Sequence, residues 1–471
     1  MKNSRRNFLK MSGMAGMGLA GMSVMGSKGK DDGNRFLKSH RQEFNMRGYA
    51  APALDVVRIG VVGLGNRGSG TVRRLASVEG VEIRALCDVR PEMVDRSVQA
   101  ISSFHSPDTY SDGPDDWKRM MERDDLDVIA IVTPWDIHAE QAVFAMEHGK
   151  HVYIELPAAQ TMEECWQLVE TSEKTRKHCM QVSRSAHRND TAYILKMVRS
   201  GVFGDLIHAE GHYIHDLLMS HILNKEMFYS MWRLRENTGR QGNLYPAHGF
   251  VPIIQMMDIN CGDKLEYMVS VSSRDFMMKD RIKELAESDS FFEEFAGKEM
   301  RGNINTSIIK THKGRTIMLQ HDVTTPRPGA RFNLISGTEG VFAAGPDRLA
   351  KSHDGWVSQE ELDALIKEYT PKLTQRFNEV RREGQRDPEA RGYAQVDPLD
   401  WRFVDCMRNG LPLEMDVYDA ATSTAIIPLT EWSVANRSNP VLIPDFTSGG
   451  WKTNKRGMDV DIKEGGTTRI L

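Results

Sequence analysis

Apolar residues recur along the chain with two different periods. Over 56–182, short β-branched runs at 56–62, 81–86, 127–132, 151–154 and around Met180 alternate with stretches of helical period. One of these starts near Ser69, one runs through Met146 and one spans 161–177. Strands that read as continuous apolar runs between helices belong to a parallel sheet covered on both faces. From about residue 205 the period shortens to two, and 205–215 places Ile207, Ala209, Gly211, Tyr213 and His215 on one face. Hairpins are predicted at 304–311 and 316–323 around His312-Lys313-Gly314, and at 332–335 and 341–342 around 336–340. An open-faced antiparallel sheet with one covered side accounts for them, followed by helices over 400–408 and 417–436. The polar, charged stretches at about 278–301 and 350–395 read as helical insertions or surface loops. The expected class is α/β: a doubly wound parallel-sheet domain over 55–182, an α+β domain over 183–451 and a tail over 452–471.

The first 30 residues do not fit either period. Residues 4–10 read Ser-Arg-Arg-Asn-Phe-Leu-Lys and are followed by a Gly- and Met-rich apolar stretch over 11–26, which has the form of a twin-arginine export signal. Six of the 27 methionines lie before residue 26. The segment implies passage through the twin-arginine export machinery, a periplasmic location and a cofactor loaded before export. Residues 31–54, charged and aperiodic, read as a linker.

The first β-branched run ends in Gly63-Leu64-Gly65-Asn66-Arg67-Gly68 and opens a helix. Gly63 permits the tight bend, Gly65 lets the backbone approach a pyrophosphate, Gly68 permits helix–strand contact, and the helix N-terminus offers N–H groups to phosphates. Asp88 ends the second strand, 20 residues after Gly68, where an acid accepts the ribose hydroxyls and repels a 2′-phosphate. The combination predicts a Rossmann domain binding NAD. Ligands of such sheets lie at the carboxyl ends of the strands, so Thr133, Trp135, His138 and Glu155, with Leu156 beside it, join Asn66 and Arg67 as cofactor candidates. Trp135 reads equally well as packing, and His138 as a polar residue at a helix start.

Composition narrows the partners. The chain has 471 residues, 61 basic against 65 acidic, for a net charge of −4. This leaves no basic excess for a phosphate backbone, so no nucleic acid is expected. A mean hydropathy of −0.46 and no apolar run near membrane length argue against a polytopic membrane protein. Five widely spaced cysteines form no Cys-x-x-Cys pair, which argues against a disulfide framework and against a metal site.

Residues 56 to about 450 resemble the Gfo/Idh/MocA oxidoreductases, and most closely glycoside hydrolase family 109, NAD-dependent α-N-acetylgalactosaminidases. The resemblance is carried by Asn66-Arg67-Gly68, Trp135-x-x-His138, Glu155-x-Pro157-Ala158-Ala159, the run Thr171 through Met180, His208-Ala209-Glu210-Gly211, Tyr213-Ile214-His215 and Trp232-Arg233. Further stretches are Asn243-Leu244-Tyr245-Pro246-Ala247-His248-Gly249, Pro326-Arg327-Pro328 and Gly449-Gly450-Trp451-Lys452. It implies a glycosidase that holds NAD throughout: a sugar carbon is oxidised, the neighbouring proton is removed, the aglycone is eliminated, water adds and the hydride returns. Tyr245 and His248, three apart before a helix, are the acid/base candidates, although a structural Tyr–His hydrogen bond would have the same spacing. His187 is a third, because imidazole works near neutral pH. Tyr213, His215 and Arg233 are the candidates for holding a carbohydrate substrate, with sheet packing and a surface salt bridge as the plain readings. Four positions depart from the family: Leu156 replaces a usual Lys, Arg184 and His187 stand where an Asn and a Tyr are usual, and Gly329 replaces a Tyr. A sugar oxidoreductase that makes or reduces a keto-sugar, and a non-catalytic sugar-binding protein, are the alternatives. Near-neutral net charge fits a neutral sugar. The open sheet face often pairs two copies in related proteins, which implies a homo-oligomer.

Overall fold

Six short runs, all but the exposed third buried along most of their length, make the first sheet: β1 Val57–Val62, β2 Val81–Cys87, β3 Asp108–Tyr110, β4 Val128–Ile131, β5 His151–Glu155 and β6 Cys179–Val182. The computed structural model describes residues 33–386 and 396–471, so the twin-arginine segment lies outside the described residues. The strand order is β3-β2-β1-β4-β5-β6, with every pair parallel. The order reverses between β1 and β4, which opens a crevice at their carboxyl ends. Helices Gly68–Ala76, Pro91–Ile101, His138–Glu147 and Met162–Thr175 cover the sheet. The last starts at a capping box, in which the Thr161 hydroxyl accepts the Glu164 N–H and the Glu164 carboxylate accepts the Thr161 N–H.

The second sheet has eight strands: β7 Leu206–Ile214, β8 Leu265–Ser272, β9 Ile304–Thr311, β10 Thr316–Asp322, β11 Ala330–Gly337, β12 Gly340–Ala343, β13 Arg348–Lys351 and β14 Val441–Leu442. Their order is β13-β12-β11-β7-β10-β9-β8-β14. The sheet is mixed rather than antiparallel, because β10 runs parallel to β7 in register His208–Thr316 through Ile214–Asp322. β9 and β10 form the expected hairpin. The chain leaves β7 through the helical 215–264 excursion, and no turn ties the direction of β10 to that of β7. Helices Ala247–Met256 and Ile426–Ala435 cover one face, while Tyr267, Val271 and Ile308 are exposed on the other.

Phe36–Leu471 form one compact unit. The aperiodic segment read as a linker packs onto this body over residues 36–54. Met46 and Arg47 are buried, and Arg47 lies 2.9 Å from Asp416 and 2.7 Å from Asp419. The C-terminal residues also turn back. Ile470 forms a β-bridge with Val78, and the Leu471 N–H donates to the Ser77 carbonyl at 2.8 Å.

Candidate active site

The glycine turn is built by close approaches. Gly63 has φ +85°, and a Cβ there would lie 2.6 Å from the Val132 carbonyl at the end of β4. A Cβ on Gly68 would lie 1.8 Å from the Gly63 oxygen, so the turn folds back on its own helix. That helix has no side-chain cap and no acid in its first turn, leaving its N-terminal N–H groups for an anionic ligand. The Asp88 carboxylate is fixed opposite, accepting the Leu64 N–H at 2.6 Å and the Arg90 N–H at 2.9 Å, with lone pairs left for hydroxyls. These groups line a cleft of about 900 Å3 that runs past Thr133 and Trp135 to Glu155 and Leu156. Backbone, charge and volume all fit NAD. His138 is buried, and its two ring nitrogens lie 2.8 Å from the Thr133 and Pro157 carbonyls, so it ties together the loops after β4 and β5. Burial lowers its pKa while the two carbonyls pull it up, and the first effect is the larger. The Thr133 hydroxyl donates to Gln141 at 2.8 Å.

The far wall of the cleft comes from the second half of the chain: Met227, Phe228, Tyr229, Trp232, Arg233 and Tyr245. This strap touches the glycine turn where the Asn66 amide meets the Met227 sulfur at 3.0 Å. It touches the β2 end where the Arg90 guanidinium lies 5.1 Å over the Tyr229 ring. Ser230 and Met231, both with φ 48°, bend it back toward the cleft.

Tyr245 lines the cleft just ahead of a helix pressed against β7, and His248 is the second residue of that helix. Gly249 of the Ala247–Met256 helix faces Gly211 of the strand, and a Cβ on Gly249 would lie 2.2 Å from the His212 nitrogen. This contact brings His248 onto the Tyr213 ring, 5.0 Å between centroids and nearly parallel. Tyr245 lies 4.7 Å from Tyr213 and stacks on Trp135 at 5.2 Å. The structure therefore joins Tyr213, Tyr245, His248 and Trp135 in one cluster. His215 stands at its edge, 6.4 Å from the Tyr213 ring. The His248 ring makes no hydrogen bond among the described residues. Burial, then the charges of Arg331, Arg67, Arg184 and Arg233, hold its pKa well below the ordinary 6.5. Burial first, and the neighbouring Tyr213 second, push the Tyr245 hydroxyl above its ordinary 10.

Arg233 lies 4.9 to 5.6 Å from the Trp135, Phe228, Trp232 and Tyr245 rings, and its buried Nε has no partner. It is therefore not the surface salt bridge that its position after Trp232 also allowed. Arg331, over the Tyr213 ring at 4.5 Å, and His321, 5.9 Å from it, belong to the same cluster and were not anticipated. Both arrive on neighbouring strands, so no local spacing marks them. His187 is buried with its Nε2 at 2.6 Å from Glu414, and it lines a neighbouring cavity rather than the cleft. Arg184 donates to Glu155 at 2.8 Å, beside Leu156.

Comparisons agree with this division. The family described as "Oxidoreductase family, NAD-binding Rossmann fold" matches residues 57–183, and "Glycosyl hydrolase 109, C-terminal domain" matches residues 187–453. A glycosyl hydrolase family 109 protein of Shewanella pealeana is 41% identical over 97% of this chain and 98% of its own length. One from Shewanella woodyi is 40% identical over 87% of this chain and 89% of its own. Among solved structures, a levoglucosan dehydrogenase complex with NADH aligns with TM-score 0.59 at 16% identity, covering 83% of this chain and 99% of that one. A Lactobacillus casei scyllo-inositol dehydrogenase with NAD(H) and scyllo-inositol aligns with TM-score 0.55 at 14% identity, covering 82% and 99%. At such identities these two speak for the fold alone. With an NAD-binding Rossmann domain in front and relatives matching end to end, the chain belongs to glycosyl hydrolase family 109.

Proposed function

We propose that this chain is an exported, NAD-retaining glycosidase that cleaves a glycosidic bond by transient oxidation of the sugar, elimination of the aglycone, addition of water and re-reduction. NAD, when bound, supplies a reversible hydride acceptor. The chain's own residues orient the sugar and move protons. The observation that carries the reading is the cluster in which Tyr245, on the wall of the cofactor cleft, packs against Tyr213 and His248. Two-carboxylate hydrolysis needs two acids free to reach opposite sides of the bond. Of the acids that line the cleft, Glu155 is bound to Arg184, and Glu236 to Arg240 and Gln160, which takes these two out of that role.

His248, neutral in this environment, takes the proton from the carbon next to the transient ketone. Tyr245 keeps its proton and gives it to the departing oxygen. Arg233 and Arg331 place positive charge beside the ring, where negative charge builds on oxygen as the carbon-bound proton leaves. Retained NAD fits the twin-arginine segment at 4–10, since a folded route delivers a loaded protein to the periplasm.

The test incubates purified protein with aryl glycosides, α-N-acetylgalactosaminides first, in deuterated water without added NAD. Free aglycone with deuterium at sugar C2 is the expected result. Stoichiometric reduced NAD with a keto-sugar would instead make it a sugar oxidoreductase, and the absence of both would leave a binding protein.

A further inference from the structure

Beside the cofactor cleft lies a second cavity of about 680 Å3, bounded by the 184–190 segment, the helix Lys372–Arg386 and the start of the helix Pro398–Asn409. Among the described residues its charged lining includes Arg67, Arg184, His187, Arg188 and Arg381 against Asp190 and Asp397. These cations are not equally engaged. Arg184 is bound to Glu155 at 2.8 Å and Asp400 at 3.4 Å, and forms the wall toward the cleft. Arg188 forks onto its near neighbour Asp190 on the exposed surface, its Nε–H and Nη2–H donating to the carboxylate at 3.1 and 2.9 Å. Arg67 and Arg381 have no acid partner among the described residues, and Arg381 merely flanks the Phe377 ring at 5.9 Å. His187 is buried, its Nε2 is taken by Glu414, and its Nδ1 has no partner.

We propose that this cavity is a subsite for an anionic sugar substituent, a carboxylate or a sulfate, so that the substrate is an acidic glycoside. The proposal rests on the glycosidase reading. Guanidinium forks match the planar oxygens of a carboxylate and the oxygens of a sulfate, and two of them can hold either. The cavity's volume lies within the range of about 300–1,000 Å3 usual for small-ligand sites. It meets the cofactor cleft at Arg67 and at the Arg184–Glu155 pair, so a reacting ring in the cleft and an acidic group in the cavity can belong to one molecule. The overall charge of −4 does not oppose this, because the local field at a concave site selects the ligand.

Calorimetric titration of the NAD-retaining protein with galacturonic acid, N-acetylgalactosamine 6-sulfate and neutral N-acetylgalactosamine tests the proposal. At low ionic strength one or both acidic sugars should bind about tenfold or more tightly than the neutral one, and the advantage should shrink with added salt. Which acidic sugar binds more tightly identifies carboxylate or sulfate as the preferred group. In Arg381→Gln and in Arg188→Gln the ratio should fall toward unity, with circular dichroism and bound NAD reporting that each variant is folded. Equal affinity for all three sugars overturns the subsite while leaving the glycosidase reading standing. An acidic preference that survives both substitutions overturns it as well. Binding of none of the three overturns the subsite and the glycosidase reading together.

Discussion

His248 carries the most specific expectation. Its pKa is held well below 6.5, so the neutral form persists as pH falls past the point where an ordinary histidine charges. Tyr245, raised above 10, stays protonated well into the alkaline range. The kcat/KM profile should therefore be flat across neutrality, with an acid limb below pH 6.5 and any alkaline limb above pH 10. A limb centred near 6.5 would remove His248 as the base. The stability effect has the same sign. Below 6.5 the unfolded chain binds the His248 proton more readily than the folded one, so this contribution is complete above 6.5 and is lost as pH falls through the folded value. Gly249 tests how the site is positioned. Gly249→Ala pushes a methyl into the His212 backbone, and overpacking of that kind costs about 1–3 kcal/mol. Chemical denaturation should show that loss, together with a fall in kcat larger than the change in NAD retained. At this scale the sequence was informative where chemistry is local: the turn over 63–68, Asp88, and Tyr245 with His248. Arg331 and His321 escaped because only strand pairing brings them to Tyr213.

The strap that forms the cleft's far wall makes a prediction at the scale of the element. Tyr229 is largely exposed and its visible interaction is with Arg90. A cation–π contact at such a site contributes about 0.5–1 kcal/mol, so Tyr229→Ala should speed NAD loss roughly two- to fivefold. Nucleotide absorbance remaining on the protein during dialysis measures this, and unchanged retention would show that the strap does not hold the cofactor. Legibility at this scale followed the hydrophobic pattern. β1, β2, β4 and β5 were plain because buried parallel strands are mostly apolar, with charges such as Arg58, Glu82 and Arg84 the exceptions. β8 was missed because its inner face carries Ser270, bonded to Ser307 and to Asn305, while Tyr267 and Val271 point outward. A buried polar network of this kind inverts the alternation that marks a strand. β3 is a three-residue edge with mostly exposed side chains and leaves no pattern at all.

For the whole molecule, the hydrophobic periods separated the two sheets correctly but said nothing of the segments that join them. Residues 36–54 have no period because they hold on by single anchors. Arg47, between Asp416 and Asp419, is the clearest. Burial pushes the Asp416 carboxyl up to about 6 even with the guanidinium beside it. Removing one partner from a buried ion pair typically costs about 3–5 kcal/mol. Arg47→Ala should lower stability by that amount in denaturant unfolding at neutral pH, and a change under about 1 kcal/mol would mean the segment is a loose appendage after all.

The return of Ile470 and Leu471 to Val78 and Ser77 bears on the order in which contacts form. The Gly68–Ala76 helix, whose first turn offers its N–H groups to the cofactor, ends beside the residues that Ile470 and Leu471 pair with. The Arg469 guanidinium lies 3.0 Å from Glu79 in the same place. The NAD-binding half lies early in the chain, yet one end of its first helix is completed by a segment 390 positions further along. Contacts so distant in sequence form late. The helix that faces the cofactor at one end is thus anchored at the other by a late-forming contact, which ties the two distant parts of the chain into one folding unit.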